Sequence, residues 1–188
     1  LGFRYVPGEV APDIAHDLDV LRGTVIEECE RLGLDQPLLC YEPGRSIVGR
    51  AGVTLYTVEG LKKIEGVNNY ASVDGGMTDN PRFALYNAKH HVLPANRMNE
   101  DNVGHWAVAG RCCESGDMLQ RDCELPEMQV GDILAFLSTG AYTYSMASHY
   151  NRIAKPAVIL ASEERVVLLA ARDTAEDLIH LDRIPSWL

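Results

Sequence analysis

Between Asp13 and Gly33 the apolar positions Ile14, Leu18, Leu21, Val25, Ile26 and Cys29 recur at spacings of three and four, the period of one face of a helix. Asp17, Glu27, Glu28 and Glu30 lie on the other face, Pro12 and Asp13 supply a start signal, and Leu32-Gly33 a stop. The run that follows, Pro37-Leu38-Leu39-Cys40-Tyr41, is wholly apolar, which predicts a strand buried on both faces, as in a parallel sheet. A helix followed by a buried strand is the repeating unit of an α/β barrel or open sheet. In such folds ligands bind at the loop leaving the C-terminal end of the strand, here Glu42-Pro43-Gly44-Arg45.

Downstream the period changes to two. Gly52 to Val58 alternates, Val67 to Val73 is strand-like, and further β-rich runs occupy Val103 to Ala109, Asp132 to Leu137, Pro156 to Ala161 and Arg165 to Ala170, separated by glycines and prolines. These predict an antiparallel β domain, packed directly against the first part because no flexible linker intervenes between Arg45 and Gly60. Thr174 three residues ahead of Asp177 is a capping-box pattern and predicts a closing helix over Thr174 to Leu181. There are no internal repeats.

With 188 residues and 46% apolar composition the chain has one sizeable core or two small ones. A net charge of −10 and the lack of a basic patch exclude nucleic acid as a main partner. No apolar run reaches the roughly 18 residues of a membrane span, and the opening Leu1-Gly2-Phe3-Arg4-Tyr5 does not read as a signal peptide. Because it begins without Met, the chain reads as part of something longer. Cys29, Cys40, Cys112, Cys113 and Cys123 are odd in number and lack a C-x-x-C pair, which points to a reducing, cytoplasmic setting. His90 and His91 are neighbours that diverge on a strand, so no metal site is expected; they and Lys89 read as surface or structural groups.

Four stretches carry candidate chemistry. Gly110-Arg111-Cys112-Cys113-Glu114-Ser115-Gly116-Asp117 sets a thiol beside a carboxylate between glycines, a pair suited to proton transfer or to holding an ammonium group; the plain alternative is buried cysteine acting as a small hydrophobe. Glu42-Pro43-Gly44-Arg45 offers a carboxylate for a protonated ring nitrogen and a guanidinium fork for carboxylate or phosphate, or else a salt-bridged turn. Asp74-Gly75-Gly76-Met77-Thr78-Asp79-Asn80-Pro81-Arg82 turns at its glycines. If Pro81 opens a short helix, Arg82 and Tyr86 share one face; otherwise the arginine decorates a strand end. Gly140-Ala141-Tyr142, followed by Tyr150-Asn151, places a phenol on a turn, where it reaches a cofactor or joins the core.

Taken in order, these motifs resemble the C-terminal part of the diaminopimelate decarboxylase family, pyridoxal-phosphate (PLP) enzymes of the alanine-racemase-like fold group, over nearly the whole chain. The resemblance rests on Glu-Pro-Gly-Arg, then Asp-Gly-Gly-Met with Arg82 and Tyr86, Cys113-Glu114-Ser115-Gly116-Asp117, Gly131-Asp132, and Gly140-Ala141-Tyr142 with Tyr150-Asn151. It implies that residues 1–45 are the last helix and strand of a PLP-binding (β/α)8 barrel and that 46–188 form a β-barrel-like C-terminal domain. The barrel lysine that joins PLP would lie outside this sequence, leaving the chain alone inactive. By the same resemblance Glu42 would face the pyridine nitrogen, and Gly44, Arg45 and Tyr142 would lie by cofactor and substrate. Arg45, Arg82, Tyr86, Glu114 and Tyr142 would bind an amino-acid substrate, and Cys113 would return a proton to its α-carbon. Cys113 and Glu114 would reach in from the second subunit of a homodimer with shared active sites.

The implied reaction is decarboxylation of meso-2,6-diaminopimelate to L-lysine. Two arginines and a glutamate suit a distal end bearing both carboxylate and ammonium, whereas ornithine presents only an ammonium. Another decarboxylase of basic amino acids or polyamine precursors, a racemase and a non-catalytic paralogue are the competing expectations.

Overall fold

The computed structural model describes residues 4–187; Leu1 to Phe3 and Leu188 lie outside the described residues. Asp13 caps helix α1 (Ile14–Leu32) by accepting the amide of His16 at 3.0 Å, and Gly33 ends it in the left-handed conformation with φ 65°. Cys29 is buried, whereas Val20 and Leu21 on the same helix are exposed. The buried strand expected at Pro37–Tyr41 is not formed: the run pairs with no strand and Leu38 is 90% exposed. A fully apolar parallel strand is held by neighbours on both sides, and no described strand lies beside this one.

A single helical turn, α2 (Arg45–Val48), leads into six strands: β1 (Val53–Ile64), β2 (Asn68–Val73), β3 (Val92–Pro94), β4 (Gly104–Ala109), β5 (Met118–Leu125) and β6 (Ile133–Leu137). Their order is β3-β6-β1-β2-β4-β5, and β3 comes near β5, so the sheet nearly closes into a barrel. The sheet is mixed rather than antiparallel, because β2 and β4 run parallel, with Asn69 opposite Trp106 and Ser72 opposite Ala109. The reason lies in the connection. After β2 the chain does not turn back as a hairpin but passes through the glycine-bearing loop, helix α3 (Arg82–Tyr86) and β3 before returning beside β2, the long crossover that parallel neighbours need.

Tyr56, Val58, Ala71, Val73, Trp106, Val108, Leu119, Leu125, Leu134 and Phe136 form the core inside this curved sheet, each large apolar side chain contributing about 1.5–3 kcal/mol when fully buried. On the other face of β4, Ala107 packs with Phe83 of α3 and Met118. That contact seats α3, and Arg82 with it, on the outside of the barrel. A separate hairpin, β7 (Val158–Ala161) with β8 (Val166–Ala170), leaves Ile159, Val166 and Leu169 exposed. Helix α4 (Ala175–Ile179) is the last element, with the expected capping box between Thr174 and Asp177, three residues shorter than the sequence pattern. No described helix is long and apolar enough to cross a membrane.

Candidate active site

Five of the residues singled out in the sequence converge. Arg45 opens α2 with its guanidinium 5.0 Å from the centre of the Tyr142 ring. Tyr142 adopts φ 59°, an uncommon conformation for a bulky residue, and its hydroxyl lies so near Gly44 that a Cβ there would meet it at 2.6 Å. A side chain at 44 would therefore have to displace the phenol from its place beside the backbone. Arg82 lies 4.4 Å from the centre of the Tyr86 ring, the pairing expected from residues four apart on one helix face. Contacts of this kind contribute about 0.5–2 kcal/mol each, more as water is excluded.

Two residues without a sequence signal complete the cluster. Tyr5 places its ring 5.2 Å beneath Arg45 and receives an N–H from Arg82 at 3.4 Å. His90, read from the sequence as a surface or structural group, is a buried neighbour that meets the Tyr5 ring edge-on at 5.5 Å. Its Nδ1 lies 2.9 Å from the carbonyl of Leu137 at the end of β6, so in the neutral ring Nδ1 carries the hydrogen. Burial, and then the positive charges of Arg82 and Arg45, lower its pKa from 6.5. Because the folded protein resists protonating His90, stability is full above about pH 6.5 and is lost as pH falls from there through the folded-state value. Thermal midpoints measured from pH 7.5 downward should show this loss, and His90→Gln should flatten that part of the curve.

The thiol loop is elsewhere. Cys113 and Glu114 are exposed on the turn between β4 and β5. The Glu114 carboxylate folds back to accept the amide of Gly116 at 2.9 Å rather than engaging Cys113. Glu42 is exposed on the segment ahead of α2. A buried carboxylate, Asp117, helps tie the thiol loop to the loop that precedes Arg82, accepting the amides of Met77 at 2.6 Å and Cys112 at 2.7 Å. Gly110 is packed against it so closely that a Cβ would meet its oxygens at 2.2 Å. Asp79 extends the network: it accepts the Gly76 amide at 2.8 Å and the Tyr56 hydroxyl, and burial raises its pKa. The Asp74–Pro81 loop is therefore bound on one side to the thiol turn and leads on the other directly into Arg82. Cys112 is partly buried, and burial together with Asp117 pushes its thiol up to about 11. Asp132, part of the sequence resemblance, is structural here: it accepts Arg97 at 2.8 Å and the Gln129 amide at 2.7 Å.

Residues 18–140 match the family described as pyridoxal-dependent decarboxylase, C-terminal sheet domain. The chain belongs to this family. It is 46% identical over 181 residues to a diaminopimelate decarboxylase of Bacillus subtilis, covering 96% of this chain and 41% of that protein. A crystal structure of diaminopimelate decarboxylase from M. jannaschii superposes with a TM-score of 0.88 at 35% identity, covering all of this chain and 42% of that one. A second structure of the M. jannaschii enzyme, in co-complex with L-lysine, gives 0.86. The chain spans about two fifths of the length of the curated relatives it matches.

A pyridoxal-dependent family implies PLP, and the groups available here fit part of it. Glu42 offers an exposed carboxylate to a ring N–H, while Arg45 and the Tyr142 hydroxyl offer donors to an anion beside the bare backbone of Gly44. Among the described residues no three histidine, cysteine or acidic side chains are grouped as metal ligands.

Proposed function

We propose that this chain is the C-terminal portion of a PLP-dependent decarboxylase that converts meso-2,6-diaminopimelate to L-lysine and CO2. The observation that carries the reading is the convergence of Arg45 and Arg82 on Tyr5, flanked by Tyr142 and Tyr86. A guanidinium presents paired N–H donors in one plane, so two of them in one cluster suit a substrate with more than one carboxylate. A diamino acid with a carboxylate at each end is such a substrate. L-lysine is named as a ligand of the M. jannaschii relative, and it is the product of the proposed reaction.

In this reading Glu42 holds the pyridine nitrogen protonated, and Arg45 and Tyr142 hold cofactor and substrate. When bound, PLP supplies a ring that accepts the electron pair left on the α-carbon as the carboxylate departs. Arg82 and Tyr86 bind the distal carboxylate, Glu114 binds the distal ammonium, and Cys113 gives the α-carbon its proton. Residues 1–45 are the end of a PLP-binding (β/α)8 barrel and 46–188 the second domain. The exposed Leu38 and Tyr41 and the exposed apolar side chains of α1 support this division, because apolar surface of that kind is normally covered. The exposure of Cys113 and Glu114 supports a homodimer in which each thiol turn completes the partner's site, and the five unpaired cysteines support a cytoplasmic setting.

The test is to express the chain with the coding sequence that flanks it, add PLP and meso-diaminopimelate, and measure CO2 and L-lysine. Stoichiometric formation of both is expected; a PLP-binding protein that makes neither refutes the reading. In the active protein, Arg82→Ala removes a charged substrate contact and should raise KM for diaminopimelate about ten- to fiftyfold. Equal KM values would remove Arg82 from the site.

A further inference from the structure

We infer that Tyr5 is a positioning residue for the anion site, setting the spacing and orientation of the two guanidinium groups that receive substrate carboxylate. This rests on the reading of Arg45 and Arg82 as substrate-holding residues. Arginine recognises a carboxylate through a planar fork, so its value depends on where that plane points. A long side chain left in water samples many rotamers, and ordering it costs free energy at the moment of binding.

Tyr5 restricts both arginines together, alongside Tyr142 on Arg45 and Tyr86 on Arg82. Its ring face lies against the Arg45 guanidinium at 5.2 Å. Its hydroxyl oxygen accepts Nη2 of Arg82 at 3.4 Å. Arg45 and Arg82 belong to separate segments, α2 and α3, and Tyr5 touches both. With one Arg82 donor turned toward the phenol and the Arg82 guanidinium carbon 4.4 Å from the centre of the Tyr86 ring, the remaining donors have a restricted direction.

Tyr5 is itself located by His90. The imidazole meets its ring at 5.5 Å with an interplanar angle of 83°, the edge-to-face arrangement that aromatic pairs favour. The same imidazole is tied to the Leu137 carbonyl and packs on Phe136 of the core at 6.2 Å. A rigid path therefore runs from the barrel core through His90 and Tyr5 to the guanidinium pair. This path gives a reason for a buried imidazole lying against two cations, where a protonated side chain would be repelled.

The decisive variant is Tyr5→Phe, which keeps the ring beneath Arg45 and deletes the acceptor for Arg82, compared with Tyr5→Leu, which deletes both. In the full-length holoenzyme Tyr5→Phe should raise KM for diaminopimelate about five- to twentyfold with kcat changed less than about threefold, the split expected of lost ground-state binding. Tyr5→Leu should raise KM further. Pimelate, a dicarboxylate without amino groups, supplies a readout independent of turnover: its dissociation constant, measured by calorimetry, should rise in the same order. A wild-type protein that binds pimelate and loses it in Tyr5→Phe, yet makes no lysine, would retain the anion site and refute the proposed substrate. Unchanged pimelate affinity in Tyr5→Phe, or no pimelate binding by the wild type, overturns the inference. A variant that falls in thermal midpoint while its KM and pimelate affinity stay at wild-type values would make Tyr5 structural only, and overturns it as well.

Discussion

Cys113→Ala should lower kcat of the full-length enzyme by about 10²–10⁴-fold, the usual contribution of a positioned proton donor, with a much smaller change in KM. When the carboxylate leaves as CO2 its electron pair stays at the α-carbon, and one proton must be delivered there. Cys113 meets the first requirement for a donor, a thiol presented outward on a turn held by Asp117. Its neighbour does not: the Cys112 amide is bound inward and its thiol is pushed up to about 11 by burial and by Asp117. Cys112→Ala should therefore leave kcat near the wild-type value, and this pair of variants separates the two adjacent thiols. Because Cys113 is exposed in the single chain while Arg45 and Tyr142 lie in another cluster, the donor should act across a subunit boundary. Mixing inactive Cys113→Ala with inactive Glu42→Ala subunits should restore about a quarter of wild-type activity through sites built from the two unaltered halves. Failure of the mixture to regain activity, with dimers formed, would place Cys113 and Glu42 in the same subunit's site.

Local signals in the sequence translated well into local structure. The Asp13 and Gly33 caps, the Arg82–Tyr86 helical pair and the Thr174–Asp177 capping box depend on residues at most a few positions apart, and each is formed. The failures are of two kinds, pairing over long range and strands whose local pattern is short or interrupted. Alternation placed β1, β2, β4 and β6 but carries no sign of direction, so the parallel β2–β4 pairing was invisible. β5 escaped because Gln120-Arg121-Asp122 interrupts its apolar pattern, although Gln120 is buried. β3 is only three residues long. At the site, glycine-bearing motifs exposed Arg45, Arg82 and Tyr142, whereas Tyr5 and His90 sit in unpatterned segments and acquire their roles only when the barrel brings positions 5, 45, 82 and 90 together. Asp117 was inside a recognised motif, but nothing in the octapeptide distinguishes a buried loop anchor from a solvent-facing carboxylate.

That anchor carries the second large effect. Asp117→Asn should destabilise the protein by about 2–4 kcal/mol, because hydrogen bonds to a charged group contribute about 1.5–3 kcal/mol each and an amide cannot replace both acceptors. The wild-type carboxylate accepts Met77 through one oxygen and Cys112 through the other. An asparagine must turn its NH2 toward one of those N–H groups, leaving two donors face to face in a buried space only 3% exposed. Repair by a shift of backbone is blocked on two sides, since Gly76 and Gly110 already approach the carboxylate more closely than any residue with a Cβ could. The consequence is functional as well as energetic. The displaced amide belongs either to the segment that delivers Cys113 or to the loop that leads into Arg82, so kcat or KM should suffer according to which side yields. Denaturant titration gives the stability loss, and steady-state kinetics well below the new midpoint show which loop moved. An Asp117→Asn protein with wild-type stability would mean that the two loops are held by their remaining backbone bonds, Gly110 to Asp117 and Arg111 to Gly75, and that the carboxylate is dispensable to the architecture of the site.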